Sequence, residues 1–354
     1  MTKAARFWIF AAAIFGIAFL VPRCGGYKIL VVWAGLGEYE WTKRIEISCQ
    51  NLGWECKSCF GGERFRSNED WAVDRSAICT SFAETLRKFR PDFTIYLKEC
   101  PIHSAGCPNY LALTGDQSKY FTIAHDVGSA LQFDGVLYAA PVNEKLKLHF
   151  QNYGKPFHGI SWYPSCPRNE YCPVHPNKIF YCGFQWDERR NGQEYRKLFS
   201  LLDQKGCFVV YGPPSRWRCA VHSLKGILPF DGVSISRAIR EAGIALVLHS
   251  PCHLKIGTPA ARIFEAVSSG AVVICDRHPF VLKEFGDSVL YIDEEQKGEE
   301  LFRQVYSHYE WILSHPGEAE EMARRAHEIF LEKFTLEDQM LLLANLHEEV
   351  LKSR

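Results

Sequence analysis

Thr258-Pro-Ala-Ala-Arg262-Ile-Phe-Glu265-Ala-Val-Ser-Ser-Gly270-Ala-Val-Val-Ile-Cys275-Asp276 reads as one helix with both ends specified, followed by one buried strand. Thr258 suits an N-cap, Pro259 the first helical position and Gly270 the left-handed residue after the last turn. Ala271 to Cys275 is then a short apolar, β-branched run of the kind buried in a parallel sheet. The start of such a helix presents free backbone N–H groups and the positive end of its dipole, which suits a phosphate, and Lys255 and Arg262 add charge nearby. Arg262 and Glu265 are three apart on one helical face, with Ile263 and Phe264 turned to the core. An exposed ion pair at that spacing contributes only about 0.2–0.5 kcal/mol, so its surroundings decide what it means.

Outward from that stretch, strands and helices alternate. In the second half, Lys178–Cys182 followed by Gly183, Cys207–Tyr211 followed by Gly212, and Ile244–Leu248 read as strands. Residues 192–205, 234–241 and 259–268 read as helices, and a helix-rich tail starts at Gly298. The first half repeats the pattern. A strand from Tyr27 to Trp33 ends at Ala34-Gly35-Leu36-Gly37 and gives way to a helix over about 40–52. Apolar runs follow at Phe93–Leu97, Tyr120–Ala124 and Gly135–Ala139, with a helix over 81–89. Between them, residues 163–176 hold four prolines and no periodicity, as an interdomain connection would. With 354 residues, two α/β domains are expected. The predicted organisation is an N-terminal segment (1–26), a Rossmann-like domain (27–162), a linker (163–176), a second Rossmann-like domain (177–333) and a closing helix (334–354).

The pattern T-x-x-x-R-x-F-E-A-x-x-x-G-A-x-x-x-x-D from Thr258, followed by Pro279-Phe280 and Leu282–Phe285, resembles the donor-binding region of group 1 glycosyltransferases of the GT-B fold. The similarity is greatest to the CgeB-like, spore-maturation-type branch. Lys178–Gly183, Val209–Gly212 with Trp217, and Gly226–Phe230 resemble further segments of the family's nucleotide domain in the same order. The resemblance implies two doubly wound domains facing a cleft, and a nucleotide-sugar donor held by the C-terminal half. It assigns Glu265 to the ribose hydroxyls and Arg262 to phosphate, with Lys255, Thr258, Gly183, Gly212 and Phe230 around the donor. In one respect the sequence departs from the larger family, which often has a second glutamate eight positions before the first, where this chain has Gly257.

The first half matches more loosely, as an acceptor domain would. Gly35 and Gly37 are candidates to approach the donor across the cleft, although glycines of any tight turn look the same. His125 and Asp126 follow an apolar run and would sit at the carboxyl edge of a sheet, where open α/β folds bind ligands. Either is a candidate base for an acceptor hydroxyl, with a helix cap as the alternative for Asp126. No D-x-D sequence occurs, and metal-independent transfer with no cofactor beyond the donor is expected. Cys56 and Cys59 have C-x-x-C spacing without a second pair, and Cys166, Cys172, His175 and Cys182 are irregularly spaced, so ordinary structural positions are expected for all of them.

Lysine plus arginine equals aspartate plus glutamate, 41 each, which gives no bulk field for nucleic acid. Phe7 to Val21 is uninterrupted apolar or glycine between Lys3, Arg6 and Arg23. It is shorter than the roughly 20 residues of a spanning helix and fits a signal segment or an uncleaved membrane anchor, the latter being favoured. Cysteines placed within apolar runs favour a cytoplasmic catalytic body, and an anchor favours a glycan, lipid-linked or protein acceptor. The alternatives are a two-lobed extracytoplasmic binding protein and a catalytically inactive nucleotide-sugar-binding relative. A nicotinamide oxidoreductase is disfavoured because Gly35 and Gly37 lack the third glycine of G-x-G-x-x-G.

Overall fold

A computed structural model describes residues 26–61, 82–98, 106–113, 130–139, 144–183 and 188–354. The first half runs β1 (Lys28–Trp33), α1 (Leu36–Asn51), β2 (Glu55–Phe60), α2 (Phe82–Phe89), β3 (Phe93–Tyr96), β4 (Asn109–Leu113), β5 (Gly135–Tyr138), α3 (Glu144–Asn152) and β6 (Gly159–Ser161). The second runs β7 (Lys178–Cys182), α4 (Gln193–Lys205), β8 (Phe208–Tyr211), α5 (Ser234–Ala242), β9 (Gly243–Val247), α6 (Pro251–Ile256), α7 (Ala261–Ser268), β10 (Val272–Asp276), α8 (Pro279–Phe285) and β11 (Leu290–Ile292). Three long helices follow, α9 (Gly298–Ser314), α10 (Pro316–Lys333) and α11 (Leu336–Ser353).

Among the described residues the strands form two sheets, ordered β2-β1-β3-β4-β5-β6 and β11-β10-β9-β7-β8, with every pairing parallel. The expected doubly wound α/β architecture is therefore present twice. Each sheet reverses its strand order beside its first strand, between β1 and β3 and between β7 and β9. The crevice outside the carboxyl ends at such a point is where open sheets take ligands. β1 and β9 are buried on both faces apart from Lys28, because they are interior strands. Strand β2 lies at an edge, and its alternating partial exposure explains why Glu-Cys-Lys-Ser-Cys-Phe gives no apolar signal. Cys56 packs on one face of β2 and Cys59 in the core on the other, as the two-residue strand period requires, so the pair does not converge.

The halves are interleaved. Helix α11 is capped by Thr335, whose hydroxyl accepts from the Asp338 N–H, and it lays Leu336, Met340, Leu343, Leu346 and Val350 into the core built by β1, β3 and α1 of the first half. Polar contacts fix its register: Tyr27 Oη donates to Glu348 at 2.8 Å, Tyr110 Oη meets His347 Nδ1 at 3.0 Å, and Asn51 donates to Glu337 at 2.7 Å. Residues 163–176 have no regular element but are docked along this crossing. The Cys166 carbonyl accepts from Leu336 N, and the Arg168 N–H donates to Glu337 at 2.6 Å. Asn169 donates to the Ser268 carbonyl at 2.7 Å. Pro176 passes so close to Gly243 that a β-carbon there would lie 2.6 Å from the proline Cα, and Gly243 also has φ +78°, which only glycine adopts freely.

Among the described residues no helix is long and apolar enough to cross a membrane; Phe7–Val21 lies outside them, as does the run Tyr120–Ala124. Because Leu343 is fully buried in the first half's core, Leu343→Ala is expected to destabilise that half by about 2–5 kcal/mol. Urea unfolding followed by tryptophan fluorescence reads this directly, and a midpoint equal to that of the unmodified chain would contradict the packing.

Candidate functional site

Helix α7 starts later than its sequence suggests. Its N-cap is Ala260, extended at φ −72° and ψ 148°, and no side chain caps it. Thr258 is therefore not the cap, nor Pro259 the first helical residue. α6 closes on Gly257 with φ +71°, and the chain then stays extended through Ala260 before it turns. Proline at 259 is not the cause, since the same cap-then-proline pairing starts α6 at Ser250 and α8 at His278. Thr258 is fully buried, and its hydroxyl has no hydrogen-bond partner among the described residues. The left-handed position of Gly257 also explains the departure from two glutamates, since a glutamate there would be strained. Gly270 has the predicted left-handed backbone at φ +72°.

Glu265 is the centre of the site. Its side chain is 3% exposed, one oxygen bonded to Arg262 of its own helix and the other to Arg44 of α1 in the first half. Arg44 is 2% exposed and also holds Glu40 at 2.9 Å, while the second Glu40 oxygen accepts from the Gly232 N–H at 3.1 Å. A continuous chain of charge-assisted bonds thus runs Gly232–Glu40–Arg44–Glu265–Arg262 across the junction of the halves. Burial alone would raise the carboxyl pKa of Glu265, but Arg262 and then Arg44 outweigh it and hold the group below its ordinary value. The Arg44 guanidinium, opposed by burial, is held charged by Glu265 and Glu40. Cys166 and Cys182 face the same cluster, and burial pushes the Cys166 thiol up to about 11. Arg262 is the member that reaches outward, its side chain 22% exposed.

Arg44 is the functional candidate that sequence reading missed. Glu40 and Arg44 look like a solvated i,i+4 pair, yet Trp41, Ile45 and Ser48 share the helical face of Arg44 and are all buried. A charge set within a buried stripe was the available signal. Gly35 is the N-cap of α1, with the Glu38 carboxylate where its β-carbon would sit; Gly37 is exposed in the first turn. Both lie just past β1, on the helix that carries Arg44.

Around the second switch point, Gly183 follows β7 and its carbonyl accepts from Trp217 Nε1 at 2.9 Å. The Gly212 N–H donates to the Gly226 carbonyl at 2.8 Å, and a β-carbon on Gly212 would run into the Trp217 ring and the Gly183 carbonyl. These glycines therefore allow an indole clamp between two strand ends. Phe230 is half-buried and packs on the first half's core, which carries the loop after Gly226 across the junction. Lys255 is exposed in the last turn of α6. His125 and Asp126 lie outside the described residues.

A second buried polar group sits at the carboxyl ends of β9 and β10. His249 donates its backbone N–H to one oxygen of Asp276 at 2.7 Å, and its Nδ1 lies 2.6 Å from the other. Cys275 Sγ is 3.5 Å from Asp276. A 2.6 Å separation is that of a hydrogen bond rather than of two donors around one ion. His278 stacks on His249 with ring centroids 4.1 Å apart, and burial lowers its pKa to about 4. Its Nδ1 accepts from Phe280 N at the start of α8, so Nε2 carries the proton and donates to the His253 carbonyl.

The depressed pKa of Glu265 has a stability consequence whose sign follows from linkage. The contribution is present above the ordinary carboxyl value of 4.5 and is lost as pH falls through the folded value. Urea midpoints between pH 7 and pH 3 are expected to fall less steeply for Glu265→Gln than for the unmodified chain; equal slopes would contradict a charged Glu265.

Residues 189–345 match the family model described as glycosyl transferase-like. Among curated proteins, none matches the sequence. Among solved structures the chain is similar to a glycosyltransferase from Rickettsia africae, with TM-score 0.54 and 14% identity over 93% of this chain and 100% of that one. It is also similar to a sucrose-phosphate synthase from Thermosynechococcus elongatus, with TM-score 0.55 and 10% identity over 92% and 100%. A third is an alpha-glucosyltransferase in complex with UDP and a 13-mer DNA, with TM-score 0.61 and 10% identity over 89% and 99%. At such identities the likeness is one of fold. The chain thus has the GT-B fold, two Rossmann-like α/β halves, and its residues 189–345 match a glycosyl transferase-like family.

Proposed function

We propose that this protein is a glycosyltransferase that moves a sugar from a nucleotide-sugar donor to an acceptor hydroxyl, in the CgeB-like branch of the group 1 enzymes. The observation that carries this reading is the placement of Arg262 and Glu265. They stand on α7, whose N-terminus has no side-chain cap, within the family-matched half and beside the carboxyl edge of the second sheet. Glu265, held ionised, is an acceptor for both ribose hydroxyls. Arg262, Lys255 and the free N–H groups of α7 suit the diphosphate.

In this reading the acceptor oxygen attacks the anomeric carbon as the bond to the diphosphate breaks, and Arg262 with the helix terminus stabilises the charge that develops on the leaving group. The acceptor proton passes to a base on the N-terminal side, for which Asp126 and His125 are the candidates. Transfer proceeds without a metal or cofactor, and closure of the halves excludes water. Phe7–Val21 anchors the enzyme, the catalytic body is cytoplasmic, and the acceptor is a cell-envelope glycan or a lipid-linked molecule. Uridine nucleotides are the first donors to test, since one similar structure holds UDP and another, a DNA-modifying beta-glucosyltransferase, was determined with uridine diphosphoglucose.

Calorimetric titration of the chain with uridine, guanosine, adenosine and cytidine diphosphates is expected to show binding of one of them. Arg262→Ala is expected to weaken it by about tenfold or more, the loss of one charge-assisted contact. Folded protein that binds none of the four would overturn this function and favour the two-lobed binding protein.

A further inference from the structure

We infer that Arg44, on the acceptor half, is a positioning residue for the donor: it orients the Glu265 carboxylate for the ribose, so that the donor site is complete only when the two halves are docked. This rests on the glycosyltransferase reading and goes beyond it, because the nucleotide site would otherwise belong to the C-terminal half alone.

The geometry carries the argument. Arg44 and Arg262 take one Glu265 oxygen each. A carboxylate offers about four lone-pair directions, so each oxygen keeps a second one for a hydroxyl, and the two guanidinium groups fix the plane in which those directions lie. Arg44 is itself fixed by Glu40, whose other oxygen holds the Gly232 N–H, just after the loop that ends at Phe230. Gly232 has φ +80°, and its α-carbon lies so close to α1 that a β-carbon would meet the Lys43 backbone at 3.2 Å. A single helix of the acceptor half therefore touches both α7 and the 226–232 loop of the donor half.

Four groups face the Glu265 carboxylate: Arg262 from its own helix, Arg44 from α1, Cys166 from the 163–176 segment, and Cys182 from the end of β7; Glu40 of α1 stands behind Arg44. Both thiols have raised pKa values and stay neutral near pH 7. Without Arg44 only Arg262 opposes burial. Protonation of Glu265 then begins at a higher pH, and a protonated carboxyl loses one of the acceptor oxygens that the ribose needs.

The test is calorimetric titration of the full chain from pH 5 to pH 8 with whichever of the uridine, guanosine, adenosine and cytidine diphosphates binds it, comparing Arg44→Gln, Arg44→Lys and the unmodified protein. Measured against the unmodified protein at the same pH, so that titration of the nucleotide's own terminal phosphate cancels, Arg44→Gln is expected to bind more weakly throughout, by about tenfold at the acid end and by less towards pH 8. Arg44→Lys, which keeps the charge, should bind with an intermediate affinity and a flat pH profile; urea midpoints show which variants remain folded. A purely structural role weakens binding equally at every pH, and that result overturns the inference. So does tighter binding by Arg44→Gln, which would make Arg44 a competitor of the ribose. If the unmodified protein binds no nucleotide, the parent function falls and this inference with it; if it binds and Arg44→Gln matches it throughout, only the role of Arg44 falls.

Discussion

Two guanidinium groups share one buried carboxylate, and the arrangement of the halves depends on that sharing. Removing an ion from water costs several kcal/mol even after the protein relaxes, so Arg44 and Glu265 are tolerable in the interior only while each has the other and a further partner. Glu40 and Arg262 supply those partners. The contact is therefore more a statement of registry than of stability: two hydrophobic surfaces could slide past each other at small cost, whereas a misplaced guanidinium would be left buried and unpaired. Docking of α1 against α7 is thus specified to within a hydrogen bond.

Around this polar centre the chain is cross-tied. The 163–176 segment reads from its prolines as a loose connection, but it lies pinned between α7 and α11 by Asn169, Arg168 and the Cys166 carbonyl. Its absence of helix or strand does not mean freedom, because its backbone groups are bonded to neighbours that are themselves fixed. A connection of this kind constrains how far the halves can part.

The sequence was most legible where burial is complete. Strands β1, β3, β7, β8, β9 and β10 are interior or strongly apolar, so their runs could be read directly. The edge strand β2 and the three-residue strands β6 and β11 were not, because half-exposed or very short strands carry no periodicity to detect; β4 was missed too, although every residue of it is buried. At the site, Arg262 and Glu265 could be picked out from local spacing and from a family resemblance. Arg44 was not, because the buried stripe around it hints at burial only, and the carboxylate that it meets lies 221 residues further along the chain. Thr258 did not cap α7 although Ser250-Pro251 and His278-Pro279 start α6 and α8 in that way, so its local signal was sound and the later start of α7 was not written in it.

The crossing of α11 bears on how the chain is made. Tyr27 is bonded to Glu348, 321 positions later, and the core that β1 helps to build contains side chains from Leu336 to Val350. At roughly 5–20 residues per second of synthesis, β1 waits about 15–60 s before the helix that completes its hydrophobic layer exists. During that interval the second sheet, whose contacts are closer in sequence, can close first. The nascent first half meanwhile leaves Trp33, Trp54 and Phe93 without that layer, so chaperones that bind bare aromatic surface have a longer opportunity there than at the second half.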